Sequence, residues 1–65
     1  MKVCANKIRR LMDMRLMTQA ELAKLSGVSR TTVNYTLSRE TCAQQTAGKL
    51  AKALSVNVAD ILEEV

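Results

Sequence analysis

Residues 18–33 read TQAELAKLSGVSRTTV, and the reading of this stretch decides the fold. Thr18 followed three residues later by Glu21 is the pattern of a capping box. The threonine oxygen takes a free amide at a helix start, and the glutamate returns a bond to the threonine's own amide. Leu22, Ala23 and Leu25 then supply a buried side. Gly27 falls where helices end in left-handed backbone, a conformation glycine adopts without a steric penalty. Ser29 is a second N-cap. The spacing predicts one helix over residues 19–26, a tight turn, and a second helix that starts behind Ser29 and runs to about Ser38. Two short helices joined in this way form a helix-turn-helix. Small Ala23 lets the second helix come close to the first. Val28, Val33 and Leu37 tie that helix down, so its opposite face is held rigidly.

The opposite face carries Arg30, Thr31, Asn34, Tyr35 and Ser38, and Tyr35 is the only aromatic residue of the chain. These side chains suit base edges in a major groove. Arginine matches guanine O6 and N7, asparagine matches adenine, and threonine or tyrosine bonds phosphate or meets a thymine methyl. The plainer alternatives are a half-buried core tyrosine and an arginine that is simply solvated.

Outward from the centre, the rest also reads as short helices. A first helix is predicted over residues 4–14, with Ile8, Leu11 and Met12 on one apolar face and Lys7, Arg9 and Arg10 mostly off it. Met12, Met14 and Met17 read as core filler, with an exposed Met17 in the following turn as the alternative. Thr41, with Gln44 three residues on, predicts the cap of a fourth helix ending near Leu54, with Ala47, Leu50, Ala51 and Leu54 inward. Gly48 inside that helix costs about 1 kcal/mol relative to alanine, which a close helix–helix approach would justify. Asn57 with Asp60 resembles one more cap, for a fifth helix over residues 58–64. The expected fold is an all-α, five-helix bundle, and residues 1–65 form one domain.

Composition narrows the function. The chain has 65 residues and a net charge of +4. Residues 1–39 hold eight Lys/Arg against two acids, and residues 40–65 hold two lysines against four acids. A basic first part points to a polyanionic partner, most simply nucleic acid. There is no histidine and no C-x-x-C pair, so no metal site or other cofactor is expected. Cys4 and Cys42 read as small, buried or half-buried thiols in a reducing compartment, with a disulfide as the alternative. No stretch approaches the ~20 apolar residues of a membrane span, and the first ten residues lack the apolar core of a signal peptide. The expected location is the cytoplasm. With no activated nucleophile and no phosphate loop, an enzyme is not expected, nor is a small-molecule substrate.

TQAELAKLSGVSRTTV resembles the helix-turn-helix of the phage Cro/C1-repressor (XRE) family, and AKALSVNVADIL resembles the end of the same five-helix domain. The two pieces stand in the family's order and spacing. VSRTTVNYTLS is equally similar to the lac-repressor family headpiece, which lacks a helix such as residues 4–14 in front of the motif. The Cro/C1 resemblance implies that Gln19 contacts a phosphate, that Arg30, Thr31, Asn34 and Tyr35 face the groove, and that Ser29 and Arg39 hold backbone phosphates. The chain departs from the family pattern in four places. Leu16 and Ser55 stand where glycine is common, and Thr36 replaces an apolar residue. Met12 and Leu37 occupy the positions of a frequent Arg–Glu pair, which fits an ion pair exchanged for apolar packing.

The function expected is a repressor-like regulator that binds double-stranded DNA in a sequence-specific way. The alternative is a protein-interaction module or antitoxin-type subunit on the same fold. One small domain reads few base pairs, and paired helix-turn-helix proteins place two recognition helices about 34 Å apart. Val56, Val58, Ile61, Leu62 and Val65 are more apolar groups than a short terminal helix needs. A symmetric homodimer is therefore expected through Val58, Ile61, Leu62 and Val65, with Ile61 and Val65 as an i, i+4 stripe. The alternative is that all five close the monomer's own core.

Overall fold

The strongest local signals become backbone where the sequence places them. In a computed structural model of the chain, which describes residues 1–63, four α-helices follow one another: α1 (Ala5–Met14), α2 (Gln19–Ser26), α3 (Arg30–Arg39) and α4 (Gln44–Ala53). A single 3₁₀ turn, Val58–Asp60, follows α4. The fold is all-helical. α2 packs against both α3 and α4, α1 against α3, and the 3₁₀ turn against α4.

The core comes from the faces the spacing selected. Ile8 and Met12 of α1, Leu22 of α2, Val33 and Leu37 of α3, and Ala47, Leu50, Ala51 with Leu54 at the end of α4 are all buried in one cluster. Met12 and Leu37 both sit inside it, as expected of an apolar pair. Thr36 is also fully buried, and its hydroxyl donates to the Thr32 carbonyl at 2.8 Å. The polar atom is thus satisfied within its own helix, and the methyl fills the place of an apolar residue.

Several expectations are corrected. Leu25 is 63 % exposed and Met14 71 % exposed, so neither fills the core. The fifth helix is one 3₁₀ turn. The Asn57 N–H does donate to the Asp60 carboxylate at 3.1 Å, so the start was legible. Continuation is prevented by the beginning of the chain. The Cys4 N–H donates to the Ile61 carbonyl at 2.8 Å, and the Glu63 N–H donates to the Lys2 carbonyl at 3.3 Å. Those groups pair across the molecule and leave the helix ladder.

The same N-terminal segment displaces the predicted cap of α4. Thr41 donates its hydroxyl to the Met1 carbonyl at 3.1 Å, and α4 starts two residues later behind Ala43, which makes no side-chain cap bond. Residues 1–4 therefore lie as an extended filament between residues 40–42 and 61–63, with single antiparallel bridges Lys2 to Thr41 and Val3 to Leu62. Val3 is fully buried in the core. Nothing in the sequence reading anticipated this filament, because a two-residue pairing carries no periodicity.

Among the described residues, left-handed backbone occurs at Gly27 (φ 73°) and at three residues with side chains: Leu16 (52°), Glu40 (55°) and Ser55 (60°). Leu16 and Ser55 are the positions where the family pattern has glycine. The helices end with the same geometry, at a cost of about 1–2 kcal/mol for each residue that carries a Cβ.

Gly48 is not explained by the close helix approach that was expected. A Cβ placed on it meets no heavy atom within 4 Å, so no close helix approach requires glycine there. Gly48→Ala should raise stability by about 1 kcal/mol, because alanine restricts the unfolded chain and suits a helix interior. Urea denaturation followed by circular dichroism will read this as a higher midpoint at unchanged slope; a lower midpoint would show that the space is not open.

Candidate nucleic-acid interface

The helix-turn-helix is built from short-range bonds. Thr18 Oγ1 accepts the Glu21 N–H at 3.1 Å, and Glu21 Oε1 accepts the Thr18 N–H at 3.1 Å, which completes the capping box of α2. At its other end the Gly27 N–H donates to the Ala23 carbonyl at 3.0 Å. Ser26 tightens the turn in a way the sequence reading missed: its hydroxyl donates to the Ala23 carbonyl and accepts the Val28 N–H, both at 3.2 Å. Ser29 then starts α3 by accepting the Thr32 N–H at 3.1 Å, and the Ser29 and Thr32 hydroxyls are 2.8 Å apart.

With Val33, Thr36 and Leu37 buried, the other side of α3 is turned to solvent. Arg30, Thr31, Asn34, Tyr35 and Ser38 are all exposed, and Tyr35 is 54 % exposed. The tyrosine is not a core residue. Gln19, the first residue of α2, is half-buried, and it lines one shallow, open depression together with Arg30, Thr31 and Asn34. The start of α2 and the first two turns of α3 thus face a common space. Its lining holds one formal charge, the Arg30 guanidinium, and no carboxylate. The positive end of the α2 dipole lies at the same place and favours an anion. Glu21 in that first turn opposes this, but its carboxylate is engaged in the capping box.

The other expected contact residues stand outside that lining. Ser29 and Arg39 are exposed at the two ends of α3, and the Ser29 hydroxyl is engaged as the helix cap. A second shallow depression, lined by Leu25, Ser26, Lys49, Lys52 and Ala53, lies between α2 and α4. The helical spacing turns Leu25 inward, whereas the side chain is exposed, so the sequence carries no local signal for this surface.

The expected pairing stripe is not a free face. Ile61 is 0 % exposed and belongs to the monomer's own core. Val58 and Leu62 are half-buried against that core, and Val65 lies outside the described residues. Ile61 is drawn inward because its carbonyl is bonded to Cys4 and the next residue pairs with Val3.

No group of three His, Cys, Asp or Glu side chains able to hold a metal occurs among the described residues. Cys4 and Cys42 are free and half-buried. Burial pushes the Cys42 thiol above its ordinary value, against smaller opposing effects of the N-terminal amine and the Ala47 amide. No helix among the described residues is long and apolar enough to cross a membrane.

Similar arrangements occur in solved structures. A mutant of a hydroxyethylphosphonate dioxygenase superposes with a TM-score of 0.85 at 26% identity, over 100% of this chain and 14% of that one. Native PhpD with cadmium, and PhpD with cadmium and hydroethylphosphonate, each give a TM-score of 0.84 at 26% identity and the same coverage. The chain therefore corresponds to a small part of those proteins. No curated protein is significantly similar to it. The model of the family described as the Cro/C1-type HTH DNA-binding domain matches residues 7–65, the segment that holds the helix-turn-helix and its exposed face, and the chain belongs to that family.

Proposed function

We propose that this protein is a sequence-specific, double-stranded DNA-binding regulator of transcription, repressor-like in action, that lays α3 in the major groove. The observation that carries the reading is the exposed row Arg30, Thr31, Asn34 and Tyr35 on a helix whose other side is locked into the core. Arg30 and Asn34 read base edges. Gln19 and the amides at the start of α2 take a phosphate, and Ser29 and Arg39 bracket α3 with two more. The chain works as one binding domain in the cytoplasm, and no reaction is assigned to it.

Two copies bind a palindromic site. With Ile61 committed to the core, the pairing surface we propose centres on the half-buried Val58 and Leu62, together with Val65.

The experiment is selection of bound duplexes from random DNA, followed by affinity against salt for the recovered site. A shared, two-fold symmetric sequence and a steep loss of affinity with salt are expected, since each neutralised phosphate releases counterions. Recovery of no common sequence would reject the reading. A second reading is an interaction module, favoured by the likeness to small parts of larger dioxygenase chains. It predicts affinity for a protein surface and indifference to DNA.

A further inference from the structure

Glu40 ends the recognition helix in a conformation that a residue with a side chain adopts at a cost. It is the C-cap of α3, left-handed at φ 55°. Its N–H closes the helix on the Thr36 carbonyl at 2.9 Å, and its own carbonyl accepts the Val3 N–H at 3.0 Å. Its carboxylate reaches a third element: Oε2 accepts the N–H of Ala5, the first residue of α1, at 3.1 Å. The residue in the cap position of α1, Cys4, makes no side-chain cap bond. Glu40 thus performs a cap's work from a distant part of the chain. A carboxylate suits that place, because the start of a helix carries unpaired N–H groups and positive partial charge.

From these contacts we propose that Glu40 is a positioning residue for DNA reading, one that fixes the pose of α3 against α1; the proposal rests on the DNA-binding function given above. α1 and α3 also pack against each other, and Ile8, Met12, Val33 and Leu37 are all buried in the core they share. Apolar burial is non-directional and holds two helices together without fixing how one slides along the other. A hydrogen bond has a required distance and angle. The bond from the end of α3 to the start of α1 supplies that direction, and Arg39 is the residue immediately before it. Glu40 is exposed and its bond to Ala5 only part-buried, so solvent screens it in part and its effect is on alignment more than on global stability.

The test uses the full chain with Glu40→Gly and Glu40→Gln. Glycine relieves the left-handed strain and removes the acceptor. Glutamine removes only the charge and keeps an amide oxygen within reach of Ala5. Affinity is measured at one salt concentration for the selected site and for a scrambled duplex. Removing a negative charge by itself strengthens binding to any DNA, so a residue without a positioning role would leave the ratio of the two affinities unchanged. The expected result for Glu40→Gly is a specific-to-nonspecific ratio lower by about tenfold, the equivalent of one charge-assisted hydrogen bond, at a melting temperature near the parent's. Glu40→Gln should keep a ratio close to the parent's. A parent-like ratio in Glu40→Gly, or an equal loss in Glu40→Gln, would overturn the proposal. Amide hydrogen exchange without DNA gives the second reading: the Ala5 amide and the last turn of α3 should exchange faster together in Glu40→Gly and stay protected in Glu40→Gln. Independent exchange overturns the joint. If the parent selects no DNA site, the DNA-binding reading fails by itself, and the exchange pattern alone decides whether Glu40 couples the two helices.

Discussion

Ile61→Ala should cost about 2–5 kcal/mol of stability, the range for emptying a fully buried isoleucine site. Ile61 has no exposed surface and packs in the same cluster as Val3, Leu50 and Leu54. A domain of this size has a total stability of about 3–10 kcal/mol, so the loss would unfold a measurable fraction at room temperature. The cavity would also loosen the turn that holds Leu62 against Val3. Chemical denaturation read by circular dichroism gives the number directly. The midpoint should fall by the same amount at every protein concentration, because the residue supports the monomer. A shift that disappears on dilution would return Ile61 to a subunit interface.

Arg30→Ala should cost about 1–3 kcal/mol of DNA affinity and relax the preference at one base pair. The side chain is exposed at the first position of α3 and shares its depression with Gln19, Thr31 and Asn34. It makes no contact that the fold needs, so the melting temperature should stay where it is. The discriminating measurement is a matrix of affinities for the selected site and its single-base variants. A guanine reader loses discrimination at one column. A loss spread evenly over all sequences would reassign Arg30 to a phosphate, and full affinity for every duplex would remove it from the interface.

What the sequence made legible was what neighbours decide. Thr18 with Glu21, Gly27, and Ser29 act within three or four residues, and each sits where it was expected, so the limits of α2 were read without error. The outward face of α3 followed from Val33 and Leu37 pointing inward. Two of the misses have a distant cause. Thr41 looks like a cap, but the Met1 carbonyl claims its hydroxyl. The pattern after Asn57 looks like a helix, yet two backbone bonds to the first residues stop it after one turn. Leu25 failed for a geometric reason. It stands three residues after Leu22 on a helix of only eight, and the core accepts just the nearer one. The gathering of Gln19 with Arg30, Thr31 and Asn34 depends on how α2 and α3 cross, which spacing within either helix does not determine; only the family resemblance placed Gln19 there.

The filament of residues 1–4 between two later strips of chain has a consequence for the order of folding. Lys2 and Val3 find partners only when residues 40–42 and 61–63 are present. Joining residues 2–4 to residues 61–63 closes a much longer loop than any contact within the helix-turn-helix, and the entropy of that closure is lost before any bond compensates it. The helix-turn-helix, made of contacts between sequence neighbours, has no such delay. Of the two pairings, the one with residues 40–42 can form first, and the one with residues 61–63, which closes the longer loop, comes after it. α2 and α3 can meet early, while the pairing of residues 2–4 with residues 61–63 closes last.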